Sequence, residues 1–589
     1  MGSNPAKRAV LVGAVVICVL TALSARVVHL QLVQHWDLAR LAMNAHLDRI
    51  AIPAMRGSII DRSGGILASS QPVYDILFDG QVIRDRQKFG DVLVQYLPLE
   101  EDDLRARLET QARYVPLYQG LSDDKASQLR SELAEIKERA LIIEERWVRI
   151  YPHNKSLGHV LGYLTNNAVG SAGIELSMNE ELSGRHGFRY VERDAKRREI
   201  VSYRGYQEPP DNGRDVALTI DMTIQDYVER EMDHAFEELN AEGMSVVVLR
   251  VGTGEVLAMS SRPHYDPNSW MQFGDEERRN RAIAASYTPG SVMKIVAVSG
   301  ALSHGLVQFD SEIYCENGRW EYAGTDLVDH RPFGYLPVRD ILPCSTNIGT
   351  AKLAVQLGAR NLYSYLLRYG FRARTGIELP GEESGILRPF GAWTDISVTR
   401  IPIGQEIDVT PLQMAAAMSV IANRGMLVSP RIVLQVTDAE GEVLRKHRPV
   451  RMRQVIAPAV ADLIRESLAL GVTESYGTAR RAGVEGYRVA GKTGTAQKVH
   501  QGGFQRGLGK NILTFAGFAP LEEPEVVIMV LIDEPRPWDN TQSGGTVAAP
   551  IFSRLVARIM RHLGIPPQTL EESPILEEVA APDTAPTRL

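Results

Sequence analysis

Three short clusters in this 589-residue chain combine residue types suited to acyl transfer through a serine: Ser291-Val292-Met293-Lys294, Ser345-Thr346-Asn347 and Lys492-Thr493-Gly494-Thr495. A serine hydroxyl is a weak nucleophile until a base takes its proton. A helix beginning at Ser291 sets Ser291 and Lys294 one turn apart on the same face, so the amine can reach the hydroxyl. A lysine at its ordinary pKa of about 10.4 is neutral only about one part in a thousand near pH 7.4, too rarely for a base. Partial burial and a second cation, Lys492, both push that value toward the useful range. The helix start also leaves backbone N–H groups unpaired beside the nucleophile, where an oxyanion would form. A buried strand ending in Lys492-Thr493-Gly494 would bring a cation and hydroxyls alongside. Glycine at 494 would remove the Cβ that obstructs an extended peptide lying along that strand.

Singly, the first two clusters are weak signals, because the chain holds decoys at Ser122-Asp123-Asp124-Lys125 and Ser177-Met178-Asn179. The decoys sit in charged or polar surroundings. By contrast, Pro289-Gly290 breaks the chain just before Ser291, and an apolar helix from Ile295 to Leu302 follows at once. The bland alternative makes Ser291 an N-cap and Lys294 an exposed helix lysine; three clusters in order, each in a fitting context, argue against it. No Gly-x-Ser-x-Gly elbow, HExxH or phosphate loop is present, so rival hydrolase, zinc and nucleotide readings have no starting point.

The elements that must position these groups read as α+β. Breakers at Glu208-Pro209-Pro210-Asp211-Asn212-Gly213 mark a domain boundary, followed by a strand over 216–220 and an amphipathic helix over 222–240. Strands over 245–250 and 255–259, joined by Val251-Gly252-Thr253-Gly254, form a hairpin. Strands around 487–492, 512–518 and 526–532 extend the same antiparallel sheet, and helices fill the interval from 291 to about 470. Upstream, residues 34–50 read as a helix, Arg56 to Arg62 as a strand entering a tight turn, and 98–113 and 121–139 as helical support. The final stretch, 566–589, is rich in Pro, Glu, Ala and Thr and reads as disordered.

Composition narrows the class. A net charge of -7 gives no general reason to bind nucleic acid, and the basic run at 193–198 reads as a solvated face. Three cysteines exclude a disulfide scaffold and offer no zinc spacing. Cys315 and Cys344 are either two separate thiols or one pair. From Ala9 to Ala25 there is no charge, Lys7 and Arg8 precede, and apolar residues resume after Arg26. That is a membrane anchor, with a cleaved signal peptide as the competing reading; in both cases the bulk is exported.

The order and context of the three clusters match the motif set of penicillin-binding proteins and class A β-lactamases. Beyond them the chain resembles class B penicillin-binding proteins, most closely the division-specific transpeptidases of the FtsI family. The likeness rests on Arg56 to Arg62, Gly173-Ile174-Glu175, Leu182-Ser183-Gly184, Asn280-Arg281-Ala282, Tyr287 to Ser291, Thr410-Pro411-Leu412-Gln413, Lys492 to Lys498 and Phe515 to Pro520. Ile532 to Pro535 and Gly544 to Pro550 tilt it toward FtsI over elongation-specific relatives. Three positions depart from the family pattern: Cys344 before Ser345, Thr288 before Pro289, and Gln405-Glu406 in place of Gln-Gly.

The resemblance implies this organisation: a cytoplasmic tail at 1–8, a transmembrane anchor at 9–33, a non-catalytic pedestal of the dimerisation type at 34–213, and a transpeptidase domain at 214–565. It implies a D,D-transpeptidase that cross-links septal peptidoglycan and is a target of β-lactams, working without metal or cofactor at the division septum. Ser291 would be the nucleophile and Lys294 its base, Ser345 the proton relay, and Asn347 the ligand of the substrate amide. Lys492, Thr493 and Thr495 would hold the terminal carboxylate beside Gly494, and the N–H groups of Ser291 and Thr495 the oxyanion. Glycan polymerisation would fall to an FtsW-type membrane partner, among other division proteins. Alternatives are an elongation-specific transpeptidase, a divisome scaffold, or a β-lactam receptor with little turnover.

Overall fold

The computed structural model describes residues 5–36, 38, 47–193, 199–500, 503–504, 510–538 and 541–567. The basic run after Arg193, the terminal segment from 568 onward and most of the helix expected over 34–50 lie outside them. Residues 35, 36 and 38 are helical as expected, but the end of that segment needs correction, because Leu47–Ile52 is a strand paired antiparallel with Gly187–Arg193. Its backbone groups are satisfied by a partner remote in sequence, which no local pattern reveals.

The chain divides into two compact units. One contains Met1–Met55 and Ser183–Gly213. Its helix Pro5–Val28 continues through a π-helical turn, His29–Val33. Together, Ala6–Val33 forms 28 residues, the one helix among those described that is long and apolar enough to cross a membrane. At about 1.5 Å per residue it exceeds the ~30 Å hydrocarbon core. The same unit holds a three-stranded antiparallel sheet of Leu47–Ile52, Gly187–Arg193 and Glu199–Glu208.

The other unit contains Arg56–Leu182 and Arg214–Leu589. Helices Glu101–Leu108 and Asp123–Glu135 stand where helical support was expected, shorter than read, around a core that includes Phe78, Phe89 and Leu129. The decoy residues Ser122, Lys125 and Ser177 are exposed. One sheet crosses the boundary expected at 213: Ile59–Ile60 pairs in parallel with Asp215–Leu218, which pairs with Val433–Thr437.

The part that carries the three clusters is built on a five-stranded antiparallel sheet. Its strands are β1 (Gly243–Arg250), β2 (Val256–Arg262), β3 (Ala490–Gln497), β4 (Asn511–Ala519) and β5 (Val526–Asp533), in the order β2-β1-β5-β4-β3. Strict alternation makes this sheet two-sided. Val526, Ile528, Val530 and Ile532 enter one core with helices α1 (Met222–Leu239) and α6 (Ala549–His562). Val527, Met529 and Leu531 enter the other, with α2 (Lys294–Ser303), α3 (Asn347–Leu357), α4 (Pro411–Ala422) and α5 (Pro458–Thr473). Local chemistry fixes the helix starts. Asp221 caps α1, Thr346 caps α3, and α4 begins with a Thr410/Gln413 capping box and Pro411 in the first turn. α2 is buried from Lys294 to Leu302, as expected of a helix apolar on every side.

Candidate active site

Ser291 lies in a 3-10 turn, Gly290–Met293, that runs directly into α2. In that geometry residues i and i+3 eclipse, so Ser291 and Lys294 share one face. Gly290 has φ +58° and Gly404 packs against it, since a Cβ on Gly404 would come within 2.1 Å of the Gly290 carbonyl oxygen. Gly404 has no room for a side chain and the positive φ of Gly290 would strain one, so the turn holding the serine is clamped by the backbone at Gly404.

The Lys294 amine is wholly buried and donates to the Ser345 carbonyl and, at 3.3 Å, to Ser345 Oγ. Lys492 is also buried and donates to the same Ser345 Oγ at 2.9 Å. The structure thus brings two lysines onto one hydroxyl, and among the described residues neither amine is bonded to Ser291 Oγ. Burial lowers the Lys294 amine to about 7 against the opposing pull of the Asp329 carboxylate. Lys492 lies well below the usual lysine value, first through burial and then through repulsion from Lys294.

Ser345 has φ +55°, a left-handed conformation that non-glycine residues seldom adopt. Such a residue persists only where its surroundings over-determine it. Here they include Asp329, a site residue that sequence reasoning missed. Its carboxylate accepts from Thr346 Oγ1 at 2.6 Å, from the Asn347 backbone N–H, and from the Ile348 N–H at 3.3 Å. It thereby anchors the first turn of α3 while facing Lys294. No motif spacing pointed to it. Asn347 Nδ2 donates to the Val328 carbonyl at 2.8 Å. The flanking Cys344 is a buried free thiol, as is Cys315.

Lys492-Thr493-Gly494-Thr495 lies in the middle of β3, the edge strand, rather than at a strand end. Thr493 Oγ1 donates to Thr478 Oγ1 at 3.2 Å, and Thr495 Oγ1 accepts from the Gly544 N–H at 3.2 Å. The reason for glycine at 494 differs from the expected one. An added Cβ would point inward, 2.2 Å from Thr514 Oγ1, 2.9 Å from the Pro289 carbonyl and 3.1 Å from Val292. Gly494 therefore lets β3 close on the turn that carries Ser291. Gly544 matters for the same reason, since its Cβ would come within 2.4 Å of the Gly494 carbonyl.

These groups surround a cavity of about 910 Å³. Ser291, Ser345, Asn347, Thr493 and Thr495 line it, with His330, Arg400 and Trp538 among their neighbours. Lys294 and Lys492 lie beneath its floor. A serine at a helix start, a buried lysine of lowered basicity and an edge strand beside a cleft together define a serine acyltransferase of the penicillin-binding kind.

Comparison with known proteins agrees. The penicillin binding protein transpeptidase domain matches residues 244–557, and the penicillin-binding protein dimerisation domain matches 51–218. The chain is 31% identical to peptidoglycan D,D-transpeptidase FtsI of Escherichia coli over 94% of its own length and 92% of that protein's. It is also 31% identical to stage V sporulation protein D of Bacillus subtilis, over 94% and 85%. Penicillin binding protein 3 of Mycobacterium tuberculosis, solved with aztreonam, superposes with a TM-score of 0.69 at 27% identity, covering 88% of this chain and 98% of that one. The chain belongs to the class B penicillin-binding protein transpeptidase family.

Proposed function

We propose that this protein is a D,D-transpeptidase that cross-links peptidoglycan stem peptides during septum formation. The observation that carries the reaction is the shared hydroxyl: Ser345 Oγ lies 3.3 Å from Lys294 Nζ and 2.9 Å from Lys492 Nζ, under a cleft lined by Ser291. Ser291 attacks the carbonyl of the penultimate D-alanine, and its proton passes to Lys294, neutral often enough near pH 7 to accept it. The oxyanion is held by the N–H groups of Ser291 and Thr495. The close approach of the Thr495 carbonyl to Gly290 supports this pairing of turn and strand. Ser345 relays a proton to the leaving D-alanine, Asn347 binds the peptide amide, and Lys492 with Thr493 and Thr495 holds the terminal carboxylate. An amine on a neighbouring stem resolves the acyl-enzyme. A β-lactam follows the first half of this path and stops.

The N-terminal helix anchors the chain with its first residues in the cytoplasm and the catalytic part outside. The division role is supported by the FtsI relative, and an FtsW-type glycan polymerase is the natural membrane partner. The decisive chemical test is intact-mass analysis after exposure to a labelled penicillin. One adduct on Ser291, absent from Ser291→Ala, supports the reading; an adduct on Ser122 or Ser345 sinks it. The cellular test is depletion. Unfinished septa in cells that keep enlarging support division, whereas rounded cells with closed septa assign the protein to elongation.

A further inference from the structure

We propose that a second cavity, remote in sequence from the catalytic clusters, is a binding site for a small ligand bearing a carboxylate or phosphate group. The cavity holds about 360 Å³ and shares no lining residue with the catalytic cleft. That volume lies at the low end of small-molecule sites, about 300 to 1,000 Å³. It forms where the segment after Val443–Lys446 folds back on the chain at 429–434, held by the Ser429 N–H on the Val450 carbonyl and the His447 N–H on the Leu434 carbonyl.

Its lining is rich in basic side chains, with Arg431, Arg445, Lys446, His447 and Arg448 against a single carboxylate, Glu378. Three of the five have acidic partners. Arg431 pairs with Glu255, Arg445 with Glu181 at 2.7 Å, and His447 Nδ1 with Glu378 at 3.2 Å. Among the described residues Lys446 and Arg448 have none, so the cavity carries two uncompensated positive charges.

Two further atoms point to a missing partner. Arg431 is more than nine-tenths buried and its Nε has no hydrogen-bond partner among the described residues. His447 Nε2 is buried without a partner as well. Glu378, which faces the imidazole, also accepts the Ile432 N–H at 2.8 Å and so holds the ring in place. Buried polar atoms are normally satisfied, and each exception calls for a cause. An oxyanion answers the charge and the empty Arg431 donor at once, because several charge-assisted hydrogen bonds can converge on its oxygens.

The test uses the full-length protein in detergent, with Ser291 first blocked by penicillin so that the catalytic cleft cannot contribute. Calorimetric titration with inorganic phosphate, and separately with a muramyl peptide whose only oxyanions are carboxylates, reads the site. Loss of two charge-assisted contacts in K446Q/R448Q should weaken both ligands about tenfold or more. Both residues are exposed, so the variant should fold and acylate with penicillin at the parent rate. Tighter binding of the peptide assigns carboxylate as the natural group, and tighter phosphate assigns phosphate. Equal affinity in parent and variant, or no heat from either ligand, overturns the proposal. The comparison of parent with K446Q/R448Q reads this cavity alone, and the adduct on Ser291 tests the acyl-transfer reading separately.

Discussion

Replacing Gly494 by alanine should disable the site from within rather than by blocking the substrate. The glycine sits in ordinary strand backbone, so the cost is steric: the new methyl meets Thr514 Oγ1 at 2.2 Å and the Pro289 carbonyl at 2.9 Å. Overpacking of this kind costs about 1 to 3 kcal/mol. In a unit of this size that is a fall of roughly 1 to 3 °C in Tm. Because the clash falls on the turn before Ser291, a shift approaching 1 Å there should slow penicillin acylation by about a hundredfold. Stopped-flow acylation and thermal melts read both effects. Thr514→Ala separates the causes, since it deletes the hydroxyl that clashes, and that hydroxyl is buried without a partner. G494A/T514A should therefore recover much of the lost Tm, while the 2.9 Å contact with the Pro289 carbonyl remains and keeps acylation slow. An unchanged Tm in G494A with acylation slowed would refute the packing argument and restore obstruction of the substrate as the reason for glycine.

Lys294→Met should raise Tm at pH 7 while lowering acylation about 10²- to 10⁴-fold. The folded amine titrates near 7 and the unfolded one near 10.4, so between those values the unfolded chain binds more protons. Stability accordingly climbs with pH across that window and is lowest below it, a penalty that methionine removes; a lower Tm would contradict this. Asp329→Asn should move the midpoint of the acylation–pH profile downward, because the carboxylate raises the Lys294 value. Asp329→Ala should in addition orphan the Asn347 and Ile348 N–H groups, at about 1 to 3 kcal/mol each, seen as a lower Tm. Truncation after Pro567 should leave Tm and acylation unchanged, whereas a cut before Ile565 should not, since Tyr487 donates to the Ile565 carbonyl at 2.7 Å.

The three clusters that meet at the cleft were legible in the sequence because each carries its chemistry in its own side chains, in contexts that the decoys at Ser122 and Ser177 lack. The sheet was legible where apolar residues alternate, as in Val526–Asp533. It was less so in β3, where Gly491-Lys492-Thr493-Gly494 has neither alternation nor high strand propensity. That segment is a strand because β4, buried along its whole length, pairs with it. Asp329 was not legible at all. Its role depends on a loop returning to the first turn of α3, and a single aspartate among 72 acidic residues gives no sign of that. The breakers near 213 are real, but the sheet that runs from Ile59 through Val216 to Val433 joins what composition separates.

Two buried amines on one hydroxyl raise the question of which holds a proton, and on the proposed roles the substrate decides. Repulsion between neighbouring ammonium groups is mutual, so near neutral pH the pair favours a single proton and titrates as a unit. A substrate carboxylate arriving at Lys492, Thr493 and Thr495 favours the charged form of Lys492. That holds the proton on Lys492 and keeps Lys294 in the neutral form a base requires. A β-lactam whose carboxylate is masked as a methyl ester lacks this effect. More of the shared proton then resides on Lys294, and a higher pH is needed to free it. The ester should acylate Ser291 more slowly than the parent acid, and its pH–rate midpoint should lie above the acid's. Matching midpoints for acid and ester, with only the affinity reduced, would show that Lys492 binds the carboxylate without setting the state of the base.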